Sequence, residues 1–168
     1  AMRSGTGLVT LGVPRELNPL LEPLVIEPMT VPLAQTLDGY LSDQSLPPIQ
    51  ALLKDKQALA LGPGIGTEAS TQILVKRLVA ETQAPLVIDA DGINCIASHL
   101  ELVKARKDPT VLTPHPGEMA RLTQKSTREI QADRRGIGTR FAQEYQVVLV
   151  LKGAQTLVCC PDGRTFVC

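Results

Sequence analysis

Residues 58–68 read Ala-Leu-Ala-Leu-Gly-Pro-Gly-Ile-Gly-Thr-Glu. The apolar run Ala58–Leu61 predicts a short strand, and it passes straight into a glycine-rich turn. Thr67 stands where a helix cap belongs, and the spacing predicts a helix to about Glu81 with Ala69, Ile73 and Leu78 on one side. Strand, tight turn and helix in that order make the building unit of an α/β fold. Outward from it, Leu86–Ile88, Thr110–Leu112 and Val147–Leu151 are further strands, short and apolar on both sides. Leu8–Val13, ended by Pro14, is another. Ser126 with Glu129 forms a capping-box pattern, and Ile130, Ile137, Phe141 and Tyr145 recur at helical steps on the side that should meet the sheet. Thr156–Cys160, Pro161-Asp162-Gly163 and Arg164–Cys168 read as an antiparallel hairpin. Pro28 to Pro48 is proline-rich and weakly periodic, and reads as a long irregular excursion. The expected fold is a mostly parallel central sheet, helices on both faces, and a C-terminal antiparallel hairpin.

Bulk properties narrow the function. A chain of 168 residues, 43% hydrophobic and 20% charged, suits a single globular domain over residues 1–168. Formal net charge is zero and only four aromatic residues occur, which disfavours nucleic-acid and anionic-membrane partners. No apolar run approaches the roughly 20 residues of a membrane-spanning helix, and the N-terminus lacks the apolar core of a signal peptide. Cys95, Cys159, Cys160 and Cys168 form no CxxC pair and read as small thiols of a reducing, cytoplasmic environment.

Four segments carry chemistry, each at the predicted C-terminal end of a strand. Gly62-Pro63-Gly64-Ile65-Gly66 lets the backbone approach a ligand, or is simply a tight turn. It is neither a Walker loop nor a proper GxGxxG, although Asp89, 25 residues beyond Gly64, imitates dinucleotide-fold spacing. In Val87-Ile88-Asp89-Ala90-Asp91-Gly92-Ile93-Asn94, Asp89 and Asp91 point the same way if the chain is still extended, suited to a hydrated Mg²⁺ or ligand hydroxyls; alternatively one caps the next helix. Thr113-Pro114-His115-Pro116-Gly117-Glu118 fixes His115 between prolines, with Pro116 suited to a helix's first turn. Lys152-Gly153-Ala154-Gln155-Thr156 offers a point charge and backbone amides to a phosphate, or a solvated Lys leading into a hairpin.

In this order and spacing, ALALGPGIGTE, PLVIDADGIN, TVLTPHPGEMARL and VVLVLKGAQTLVCCPDGR resemble the signature blocks of the ADP/ATP-dependent NAD(P)H-hydrate dehydratases, and RSGTGLVTLGVP resembles their early helix-to-strand segment. The resemblance implies a ribokinase-like fold and a repair reaction in which hydrated NADH or NADPH is dehydrated with ADP or ATP and Mg²⁺. It assigns Gly64 and His115 to the hydrated cofactor, Asp91 and Asn94 to the same site region, and Lys152, Gly153, Ala154, Gln155 and Thr156 to the adenine nucleotide. It further implies a homo-oligomer. The family pattern also has an upstream strand with a Gly-rich segment, and a downstream Gly-(Thr/Ser)-Gly-Asp whose aspartate is the catalytic base. The 168 residues contain no match to that block. The expectation is therefore a partial domain without turnover, since a missing base costs about 10²–10⁴ in rate. The alternatives are a sugar or vitamin kinase of the same fold and a catalytically dead nucleotide-binding fragment.

Overall fold

The computed structural model describes residues 2–168. The chain enters as β1 (Thr10–Pro14), turns through α1 (Asn18–Leu21) and returns as β2 (Met29–Leu33), which pairs with β1 in parallel as a sheet of its own. After α2 (Leu46–Leu53) come β3 (Leu59–Leu61), α3 (Ala69–Glu81), β4 (Leu86–Ile88), α4 (Ala90–Ile96) and α5 (Leu100–Lys104). Then follow β5 (Thr110–Leu112), α6 (Pro116–Thr123), α7 (Thr127–Ala132), α8 (Arg134–Tyr145), β6 (Val148–Leu151), β7 (Leu157–Cys159) and β8 (Thr165–Val167). The main sheet takes the order β3-β4-β5-β6-β7-β8, parallel through β6 and antiparallel beyond it.

Parallel neighbours in chain order need crossovers of one hand, which puts the connecting helices on one face. The strands show it by alternation. Leu61, Leu86, Ile88, Leu112, Leu149 and Leu151 are buried in the core with Leu74, Val75, Ile93 and Met119 from the helices. The alternate residues Val87, Val111, Val148 and Val150 are half-buried on the opposite face. Of the two faces expected to carry helices, the leucine face carries the helical layer. Each fully buried Leu or Ile contributes about 1.5–3 kcal/mol, so this face is the main source of stability.

Four expectations are corrected, three of them before Ser126. The early strand begins at Thr10, leaves Leu8 exposed and belongs to the small sheet. The excursion from Pro28 to Pro48 is ordered: it contains β2, a 3₁₀ turn over Asp43–Ser45, and the start of α2, whose first turn accepts Pro47 and Pro48 because its amides need no helical partner. Glu68, not Thr67, stands at the N-cap of α3, and the buried side is Thr71, Leu74, Val75, Leu78 and Val79, leaving Ile73 48% exposed.

The helix expected from Ser126 is two helices. Ser126 and Glu129 form the capping box. The chain then breaks at Asp133, whose carboxylate accepts from the Gly136 amide (2.9 Å) and starts α8. Ile130, Ile137 and Phe141 are buried as expected, and the half-buried Tyr145 ring packs on Phe141 at 4.5 Å. The hairpin stands as read, with Gly163 at φ 90° in its turn; Cys159 is buried and Cys160 half-buried.

Candidate functional site

Because β3, β4, β5 and β6 are parallel neighbours, the segments after them emerge side by side at one edge of the sheet, where ligands gather in open α/β folds. The turn after β3 is wedged in place. Gly62, at φ 131°, lies so close to the Asp89 carbonyl that a Cβ would sit 1.8 Å from its oxygen. A Cβ on Gly66 would sit 2.4 Å from the Tyr40 ring. The Gly66 amide donates to Asp91 Oδ2 (3.1 Å), and the Cys95 thiol donates to the Gly66 carbonyl (3.6 Å). Burial pushes the Cys95 thiol up to about 11, so it keeps the proton it donates. Gly64 is different. It holds φ 69° and would point a Cβ into open space.

The carboxylates after β4 part company, against the expectation that they point together. Asp89 is the N-cap of α4, accepting from the Ala90 amide (2.8 Å), and Ala90 turns the chain at φ 48°. Asp89 then faces Lys152, whose Nζ donates to Oδ1 at 2.6 Å. Burial works to raise the Asp89 carboxyl, but the hydrogen bonds from Lys152 and the Ala90 amide outweigh it and hold it low. Asp91 instead braces the first turn and accepts from Asn94 Nδ2 (3.2 Å), while Asn94 Oδ1 accepts from Arg121 (2.7 Å).

His115 is the N-cap of α6. Its Nδ1 accepts from the amides of Gly117 (3.0 Å) and Glu118 (3.3 Å), and Glu118 Oε2 accepts from the His115 amide (2.8 Å). With Nδ1 accepting, the neutral ring carries its proton on Nε2, which lies 3.2 Å from Glu118 Oε1. Half of the His115 side chain remains open to solvent, whereas Glu118 is buried. Glu118 Oε2 also stands 4.0 Å from Lys152 Nζ, so His115, Glu118, Lys152 and Asp89 form one polar chain across the ends of β4, β5 and β6. The Lys152 amide donates to the Pro114 carbonyl (2.9 Å), tying two of these ends together.

Past Lys152, residues Gly153, Ala154 and Gln155 are exposed, and the Thr156 hydroxyl donates to the Gly153 carbonyl (3.2 Å). Beneath this turn lies a residue the sequence reading passed over. Arg134 donates to the carbonyls of Leu151 (3.1 Å) and Gln155 (3.0 Å) and, more loosely, of Lys152 (3.4 Å). Its signal was a cation in a helix's first turn, an unfavourable place that calls for another partner; that signal was hidden because the helix was expected to open at Ser126.

The sequence profile described as NAD(P)H-hydrate dehydratase matches residues 1–168. The chain is similar to the bifunctional NAD(P)H-hydrate repair enzyme Nnr of Moorella thermoacetica, 42% identical over 167 residues, covering 99% of this chain and 32% of that protein. Among solved structures it is similar to the ADP/ATP-dependent NAD(P)H-hydrate dehydratase of Bacillus subtilis co-crystallized with ATP/Mg²⁺ and soaked with CoA, at a TM-score of 0.73 and 28% identity, covering 99% of this chain and 56% of that one. A ribokinase-like superfamily protein of Enterococcus faecalis, 22% identical with a TM-score of 0.79, covers 99% of this chain and 54% of its own and shares the fold. The chain thus spans about a third to somewhat over a half of the length of these relatives.

Proposed function

Because this chain belongs to the NAD(P)H-hydrate dehydratase family over residues 1–168, we propose that it carries the adenine-nucleotide turn and part of the hydrated-cofactor surface of an ADP/ATP-dependent dehydration that restores NAD(P)H. The observation that carries this reading is Lys152, poised on Asp89 at a strand end beside an exposed turn. Hydroxide is a poor leaving group and phosphate a good one, so phosphorylating the substrate hydroxyl prepares its elimination. In this scheme Lys152 meets the nucleotide phosphates as a point charge, and the amides of Gly153 to Thr156 complete the anion site. Gly64 and the open half of His115 line the hydrated cofactor. Asp91 and Asn94 act on the same region by bracing the first turn from below. His115 serves as a positioned wall rather than a base, since its Nδ1 is committed to backbone donors.

Mg²⁺ enters this reading on the nucleotide phosphates. Among the described residues no three His, Cys, Asp or Glu side chains are grouped to hold a metal ion, and Asp89 and Asp91 both carry protein donors. Free thiols at all four cysteines support a reducing, cytoplasmic setting, and no helix of the described residues is long and apolar enough to cross a membrane. We read residues 1–168 as part of one domain, assembling with copies of itself.

The 168 residues hold no Gly-(Thr/Ser)-Gly-Asp, so binding is the first readout. Calorimetric titration with ADP and ATP in the presence of Mg²⁺ should give saturable binding, and its absence from the wild-type chain would sink the proposal. Incubation with hydrated NADH then distinguishes reactions. Nucleotide-dependent return of reduced-nicotinamide absorbance marks a dehydratase, whereas a stable phosphoester from a sugar or vitamin marks a kinase.

A further inference from the structure

The turn after β6 has its backbone acceptors and donors on separate duties. The carbonyls of Leu151, Lys152 and Gln155 are all taken by one guanidinium, that of Arg134. The amides of Gly153, Ala154 and Gln155 donate to no protein acceptor among the described residues. The approach is close: a Cβ on Gly153 would lie 2.7 Å from both terminal nitrogens of Arg134, so the glycine is what admits the arginine. Arg134 comes from the first turn of α8, where the helix dipole repels a cation, and the carbonyls compensate for that placement. Asp133, the cap of the same turn, is bonded to the Gly136 amide and Arg140, so the guanidinium keeps the carbonyls and one side-chain partner, Gln131 Oε1 at 3.3 Å.

We propose that Arg134 is the positioning residue of the nucleotide turn. It engages the carbonyls of Leu151, Lys152 and Gln155, on both arms of the turn, and so holds the amides of Gly153, Ala154 and Gln155 free for phosphate. This rests on reading Gly153–Thr156 as the nucleotide site. Arg134 reaches the turn from the carbonyl side and adds positive charge there without touching the nucleotide. A planar fork can bridge both arms; a lysine ammonium, a point donor, cannot. Without the fork the turn must be ordered at the moment of binding, and that cost appears as lost affinity.

The test is Arg134→Lys and Arg134→Gln in the 168-residue chain, titrated with ADP and Mg²⁺ and, separately, with hydrated NADH. Nucleotide affinity should fall about tenfold or more in both variants, while hydrated-NADH affinity stays near the wild-type value. A role confined to the fold would weaken both ligands alike and lower the melting temperature in step. That pattern, or wild-type nucleotide affinity in Arg134→Lys, overturns the inference. Should Arg134→Gln fail to fold, Arg134→Lys carries the test, and failure of both to fold also overturns it. A wild-type chain that binds no nucleotide brings down the nucleotide reading itself, and with it this proposal. Wild-type binding with unaffected variants removes only Arg134.

Discussion

The two glycine turns at the sheet edge are held in opposite ways. The turn at Gly62–Gly66 is wedged, with backbone packed on backbone at Gly62 and an aromatic ring against Gly66. The turn at Lys152–Thr156 is suspended, its carbonyls hung on one guanidinium and its lysine leaning on one carboxylate. Short-range repulsion sets the shape of the first, and the bond from the Gly66 amide to the Asp91 carboxylate braces it. Charge-assisted hydrogen bonds fix the second, and pH, salt and a competing anion all reach it. On the proposed reading, the first turn meets a substrate ring and benefits from a fixed shape, whereas the second exchanges a protein carboxylate for a phosphate and benefits from loose ties.

The sharpest way to break this contrast is Gly62→Ala. Both the left-handed backbone and the Asp89 carbonyl oppose a methyl there, so a loss of ~4 kcal/mol or more is expected in urea unfolding. A variant as stable as the wild type would mean the turn is not wedged. On the suspended side, Lys152→Met should lower ADP affinity by about tenfold or more in calorimetry while costing under ~1 kcal/mol of stability, because solvent screens both ion-pair partners. Gly64→Ala meets open space and only backbone strain, so ~1–2 kcal/mol is expected, well short of Gly62→Ala. Equal effects at Gly62 and Gly64 would erase the distinction drawn between them.

The smallest effect is acid sensitivity. The Asp89 carboxyl titrates lower in the folded chain than in the unfolded one, where a free Asp lies at about 3.9. Its contribution is therefore fully present above about pH 4 and is lost as pH falls through the lower, folded value. The stability gap between wild type and Lys152→Met should hold from neutral pH to about 4 and close below it. A gap that persisted in strong acid would assign the difference to packing of the lysine stem.

The strands after Ala58 were legible because each is a short, largely apolar run with a glycine or proline within two residues of one end, and β4 and β5 fell on the expected residues. The site segments were legible for the same reason, since the ends of parallel strands must meet. Missed features depended on backbone direction or long-range partners. Ala90 leaves the extended region at φ 48°, and that single turn sends Asp89 and Asp91 to different partners; alanine gives no hint of it. The break at Asp133 was masked because Ile130, Ile137 and Phe141 keep a helical rhythm across it. Arg134 bonds carbonyls 17 to 21 residues away, beyond any local pattern.

The Asp89–Lys152 bond joins residues 63 positions apart, the longest sequence span among the side-chain hydrogen bonds described here. The parallel strands before it pair in chain order and can add one after another, each closing a loop of modest length. The lysine reaches its carboxylate only when the last parallel strand has docked. In kinetic terms this contact is a late event, and a variant lacking it should refold about as fast as the wild type and unfold faster.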